Sequence, residues 1–344
     1  MLRRYSIFTI VLGTVAALAT AAPASAATPA TVWTAPGMSG SSFSVDGSLA
    51  LTSSSSAGGR LEVRHAGTGA LIRAITSPIR FTAAVLAPNN QTVIAALTDT
   101  GSGLPVRVLR AYRIADGALV RSIATAATRD ITSVDISPDA TLVAAADPRN
   151  YSTGGNVHVH RIADGTNVAL LTVPATTAAV RFSADGRQLA VNDRFTVAGR
   201  FVGGVRVFRT SDWTSVLTLA DNSQVLRWSG LGAGLWVTTV AYASPTLLRL
   251  VSVPTGAITR SVTLQEYDSV SDVSNDDTLI LSGRWAAPRR SLKLSTAATG
   301  TAIATFDFAA DVFAGDIRAD GSLFSYALNT TPSAYDVYVG RIPS

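Results

Sequence analysis

Cysteine is absent from the 344 residues, which removes disulfides, thiolate nucleophiles, iron–sulfur clusters and covalently attached haem from consideration. Stability must come from packing, which a chain of this size can supply without cross-links even in an oxidising compartment. Lysine occurs once, at Lys293, and glutamate twice, at Glu62 and Glu266, so charge is carried almost wholly by arginine against aspartate. Charged residues make up only 15% of the chain, the net charge is +5, and the arginines are scattered. The basic stripe of a nucleic-acid binder is therefore missing. A single long apolar run stands out, Ile7 to Ala22, interrupted by Thr9, Gly13, Thr14 and Thr20, and it is shorter than the roughly 20 residues that span a bilayer.

That run follows Met1-Leu2-Arg3-Arg4 and precedes Ala24-Ser25-Ala26. A basic tip, a short apolar middle and small residues at a cut site form a secretory signal peptide over residues 1–26. The mature chain is then residues 27–344, which loses Arg3 and Arg4 and falls from +5 to +3. No cysteine follows the cut site, so no lipid anchor is expected there. The expectation is a secreted, extracellular protein with no membrane span after cleavage, diffusing freely or held at the cell wall.

What is abundant is apolar surface, 47% of residues, arranged in a repeat. A β-type run, a Ser-x-Asp-Gly-like tetrapeptide and a second β-type run recur seven times. The tetrapeptides begin at Ser44, Ala87, Ser137, Ser183, Ser229, Ser274 and Arg318, and the fifth, Ser229-Gly230-Leu231-Gly232, is worn. A second mark, Thr-Gly or Asp-Gly, recurs at Gly69, Gly117, Gly165, Gly256 and Gly300, with Asp212-Trp213 as its variant. A period in the forties with four short strands per unit is that of a propeller blade. Gly, Asn and Asp suit such hairpins because they tolerate positive φ, and Asp or Ser can bond the backbone two residues on. The seventh unit lacks one strand before the chain ends, and residues 30–35, around Val32 and Trp33, form one unassigned β-type run. The expected fold is an all-β, seven-bladed propeller of four-stranded blades over residues 27–344, closed by the N-terminal strand completing the last blade. Closure leaves only short edges exposed.

The Ser137-Pro138-Asp139 hairpin and the Val157-His158-Val159 strand, repeated in this setting, resemble the WD40-like, YVTN-like bacterial β-propeller repeats. The resemblance spans about residues 30–344 and implies a binding scaffold more strongly than chemistry. No Gly-His pair opens the units and no Trp-Asp pair closes the third strands, so the side-chain tetrad of true WD40 blades is not implied.

Candidate sites are few. His65, His158 and His160 all fall on expected third strands, away from the central channel. His158 and His160 share a face, yet a metal site needs three or four ligands and no third is evident. Without a histidine at a channel mouth or a Gly-x-Ser-x-Gly elbow, no catalytic residue is assigned and no cofactor is expected. Asp130, Asp268 and Asp311 each sit just ahead of an inner strand, where three carboxylates could hold Ca²⁺ or Mg²⁺; this is the basis of an alternative, a metal-dependent hydrolase or lactonase at the channel mouth. The leading expectation rests on the connections between second and third strands, long at residues 98–105, 147–156, 192–204 and 283–290. They carry Arg149, Tyr151, Arg194, Phe195, Arg200, Phe201, Arg284, Trp285, Arg289 and Arg290, a mixture of arginine and aromatics of the kind enriched at binding hot spots. The expected role is a monomeric, non-catalytic scaffold that binds a protein or an anionic envelope polymer through this face.

Overall fold

The computed structural model describes residues 28–54, 58–99, 106–148, 154–174, 177–197, 200–219, 223–232, 234–239, 245–266, 268–284, 290–331 and 334–343, with the backbone path alone for 99, 177–178, 193–197, 200–203, 266 and 334. Among these, twenty-eight strands, β1 to β28 in chain order, form seven four-stranded antiparallel sheets and no helix. The innermost strands are β2 (Gly40–Phe43), β6 (Phe81–Leu86), β10 (Ser133–Ile136), β14 (Thr177–Phe182), β18 (Ser223–Trp228), β22 (Asp268–Val273) and β26 (Val312–Ile317). All seven line one central cavity. The protein is a seven-bladed β-propeller.

Ring closure follows the expected latch. β1 (Thr31–Pro36) pairs antiparallel with β28 (Ala334–Arg341), the third strand of the last blade, with Thr34 opposite Tyr338 and Pro36 opposite Asp336. β27 (Leu323–Thr331) and β26 complete that sheet in the order β1-β28-β27-β26. Sequence supplies the anchor: Trp33 is buried, and its indole N–H donates to the carbonyl of Ala66 in blade 1 at 2.7 Å. One short strand thereby binds blade 7 through its backbone and blade 1 through its side chain.

The apolar residues divide into seven clusters, one between each pair of neighbouring blades. This follows from strand periodicity, because alternate side chains point to opposite faces of each sheet and both faces meet a neighbour. The cluster between blades 7 and 1 joins Trp33 and Ala35 to Met38, Ala50, Leu323 and Val337.

The hairpins explain the tetrapeptide. In blade 3 the Ser137 hydroxyl donates to Asp139 Oδ1 at 2.5 Å and accepts from the Leu142 N–H at 2.9 Å, while Asp139 Oδ1 accepts from the Thr141 N–H at 3.1 Å. The Ser137 hydroxyl, then the Thr141 N–H, hold the Asp139 carboxyl below the usual range. The fourth position takes positive φ, at +57° for Ala140. Blade 5 lacks its own aspartate, and Asp277 of blade 6 substitutes, accepting from the Ser229 hydroxyl and from the Trp236 indole. Gly230 is required there because a Cβ would lie 2.0 Å from the Asn275 carbonyl oxygen.

One of the expected loops is largely strand. Residues 192–204 form the end of a hairpin between β15 (Gln188–Val197) and β16 (Arg200–Arg209), paired residue for residue from Asn192 opposite Val205 to Val197 opposite Arg200. Phe195-Thr196-Val197 and Phe201-Val202 are β-branched or aromatic, which favours extending the ladder over opening a loop. Thr98 and Asp99 likewise extend their strand, opposite Arg107 and Val106.

Candidate functional site

A propeller offers two faces and a channel. In each meander the turns alternate ends, so connections between second and third strands share a face with those between blades, and the tetrapeptide hairpins lie on the other.

On the first face the prominent feature is the β15–β16 hairpin. Its flanking strands end early: β14 pairs no further than Asp193, and β17 (Ser215–Leu219) no further than Val205. Four further pairs, Arg194–Gly203 to Val197–Arg200, thus form a two-stranded arm without a flanking strand in its sheet. At about 3.3 Å per residue the arm stands roughly 13 Å beyond the blade. Arg194, Phe195, Arg200 and Phe201 all lie on it. Arg284, at the end of β23 (Leu279–Arg284), and Arg290, just ahead of β24 (Ser291–Thr296), are exposed on the same face. Arg149, Tyr151, Trp285 and Arg289 lie outside the described residues.

The three aspartates ahead of inner strands have separate surroundings. Asp130 is exposed, accepts from the Thr98 hydroxyl at 2.5 Å and has Arg107 Nε at 3.7 Å. Asp268 is buried and paired with Lys293 Nζ at 3.1 Å. Asp311 is partly buried, and its backbone carbonyl accepts from the Asn329 N–H at 2.9 Å. None of the three lines the central cavity, and no group of three or more carboxylate or imidazole side chains among the described residues is placed to hold a metal ion. His158 and His160 are buried with their rings stacked, centroids 6.4 Å apart. His158 Nε2 lies 3.5 Å from Asp147, whose carboxylate also accepts from the backbone N–H groups of Thr128 and Arg129. Burial lowers the His160 pKa.

The channel holds a group of residues that the sequence reading passed over. The penultimate residue of each innermost strand is Ser42, Val85, Asp135, Arg181, Arg227, Asp272 or Asp316, and all seven line a cavity of about 830 Å³. Each carboxylate ties its blade to the next. Asp135 accepts from the Phe182 N–H at 2.6 Å, Asp272 from Ile317 at 2.8 Å, and Asp316 from Phe43 at 2.9 Å. Arg227 donates to Asp272 Oδ1 at 3.2 Å, to Asn275 and to the Val273 carbonyl. Burial, and then the neighbouring Asp272 carboxylate, push the Asp316 carboxyl well above its ordinary range, which favours its protonated form beside Asp272. Burial also raises Asp135, against the pull of Arg181. The signal was present in the sequence as a fixed offset: each of these residues stands two places ahead of its tetrapeptide.

No family model and no curated protein matches the chain. Solved structures do match, over nearly the whole length. A chain of Kuenenia stuttgartiensis hydrazine synthase aligns with TM-score 0.66 at 14% identity, covering 90% of this chain and 96% of that one. The β-propeller domain of Myceliophteria thermophila Cps50 (Swd1) aligns with TM-score 0.68 at 11% identity, covering 91% and 99%. A chain of a mitotic checkpoint complex aligns with TM-score 0.68 at 14% identity, covering 98% and 100%. At such identities the likeness establishes the propeller fold, which hosts many unrelated functions.

Proposed function

We propose that the protein is a secreted, monomeric, non-catalytic scaffold of the WD40-like bacterial propeller type, and that the face bearing the β15–β16 arm binds a protein or an anionic envelope polymer. The observation that carries this reading is the arm itself. A two-stranded ribbon is only marginally stable alone, yet here one extends past its blade bearing two arginines and two phenylalanines. Arginine pairs bidentately with carboxylate or phosphate, and flat rings stack on sugars and peptides. Exposed Arg284 and Arg290 extend the basic surface on that face. One of the matched structures is a mitotic checkpoint complex, in keeping with a propeller used as a docking platform.

The test replaces Arg200, Phe201, Arg284 and Arg290 with alanine and compares co-sedimentation of the mature chain with envelope fractions of the producing cells. The expected result is retention of the native protein and loss of retention in the variant at an unchanged melting temperature. Native protein that fails to co-sediment, or a variant retained as well as native, refutes the reading.

A further inference from the structure

We infer that the central cavity, opening on the tetrapeptide-hairpin face, is a binding site for a small, uncharged, hydroxyl-rich molecule of mono- or disaccharide size. This site is separate from the arm-bearing face and does not depend on its role.

Three features of the wall carry the inference. Its charges are already matched within the ring: Arg227 is bound to Asp272, Arg181 lies beside Asp135, and burial next to Asp272 favours the neutral form of Asp316. An ionic ligand would have to break these pairs or enter uncompensated, and an unpaired charge out of water is strongly disfavoured. The wall nevertheless keeps hydrogen-bonding capacity to spare. Ser41, Ser42 and Ser271 line the cavity and their hydroxyls make no hydrogen bond within the described residues, and the Asp135 carboxylate uses only part of its four lone-pair positions on the chain. Between the polar groups lie apolar surfaces from Phe43, Val85, Leu226 and Pro138, suited to the C–H faces of a sugar ring. The volume, about 830 Å³, falls among those of ligand pockets, roughly 300–1,000 Å³. A mixed wall of donors, acceptors and apolar faces without net charge is the complement of a neutral polyol.

The experiment is titration calorimetry on the mature protein with trehalose, maltose and N-acetylglucosamine as neutral probes, and with inorganic phosphate and 1,6-diaminohexane as charged ones. Each probe is taken to about 10 mM, so that a dissociation constant near 1 mM is seen. At least one saccharide should bind, and neither charged probe should bind protein in which Arg200, Phe201, Arg284 and Arg290 are replaced by alanine, so that anion capture at the other face does not register. Ser42→Ala and Ser271→Ala, which leave the inter-blade bonds and the charge pairs of the ring intact, should each weaken saccharide binding roughly tenfold, about 1.4 kcal/mol. Their melting temperatures, measured in parallel, should stay near native. Alanine changes on the β15–β16 arm should leave saccharide binding unaltered, which separates this site from the other face. The inference is overturned if no saccharide binds, if phosphate or the diamine binds in its place, or if both folded cavity variants bind as native.

Discussion

Replacing Trp33 with alanine should open the ring at its seam. The indole is almost wholly buried in the cluster between blades 7 and 1, and its N–H is held by Ala66, itself fully buried. Truncating a buried tryptophan to alanine removes about 3–5 kcal/mol, and the carbonyl left dry at Ala66 pushes the loss toward the upper end. Against a total stability of about 5–15 kcal/mol, that is a large fraction concentrated in one six-residue strand. At roughly 2–4 °C per kcal/mol for a domain of a few hundred residues, the melting temperature should fall by about 10 °C. Circular dichroism melts and urea titrations of residues 27–344 would measure it. Trp33→Phe, which keeps an aromatic in the cluster but loses the hydrogen bond, should fall between the two. Val120→Ala, on an exposed position of the outer strand β9 (Leu119–Ala124), serves as the reference and should change stability by less than about 0.5 kcal/mol. If Trp33→Ala melts within error of that reference, the N-terminal strand is not what closes the propeller.

The seam shows how far the sequence could be read. Counting strands exposed the deficit in the last unit, and residues 30–35 were the one β-type run left to fill it; β1 occupies that place in the last sheet. Hairpin positions were legible because Ser137, Asp139 and their equivalents act locally, over two to five residues. The channel ring left one mark in the sequence, the fixed offset ahead of each tetrapeptide, but its pairings were not legible. Asp135, Arg181, Arg227, Asp272 and Asp316 belong together only across blades some 45 residues apart, and each looks in sequence like an ordinary polar residue in a short strand. The worn fifth hairpin was obscure for the same reason, since its missing carboxylate comes from Asp277 in the next blade. Residues 192–204 were read as a long loop between strands, whereas Phe195-Thr196-Val197 and Phe201-Val202 carry the ladder through.

Two glycines separate backbone strain from steric contact. Gly37 and Gly69 share φ near +70°, but a Cβ at Gly37 meets nothing within 4 Å while one at Gly69 would lie 2.5 Å from Trp33 Cγ. Gly37→Ala should cost roughly 1 kcal/mol from the left-handed backbone alone, and Gly69→Ala a further 1–3 kcal/mol from displacing the seam tryptophan; equal urea midpoints would refute the contact. The remaining expectation concerns pH. Asp316 is protonated in the fold well above the pH at which it ionises in the unfolded chain, through burial first and then the Asp272 carboxylate. The folded state therefore binds the extra proton, so this group contributes most at acidic pH, and its contribution declines as pH rises past the unfolded value near 4. The hairpin aspartates act in the opposite sense: Asp139, held below its usual range, contributes above pH 4 and is lost as acid protonates it. Asp316→Asn is nearly isosteric, retains an oxygen to accept from the Phe43 N–H and an N–H to donate to Asp272, and has no proton to lose. Its urea midpoint should match native near pH 5 and exceed it at pH 8 and above, while both proteins weaken together below pH 4. A variant that tracks native across the whole range, or that is destabilised most at alkaline pH, would show that the proton on Asp316 plays no part in holding blade 7 to blade 1.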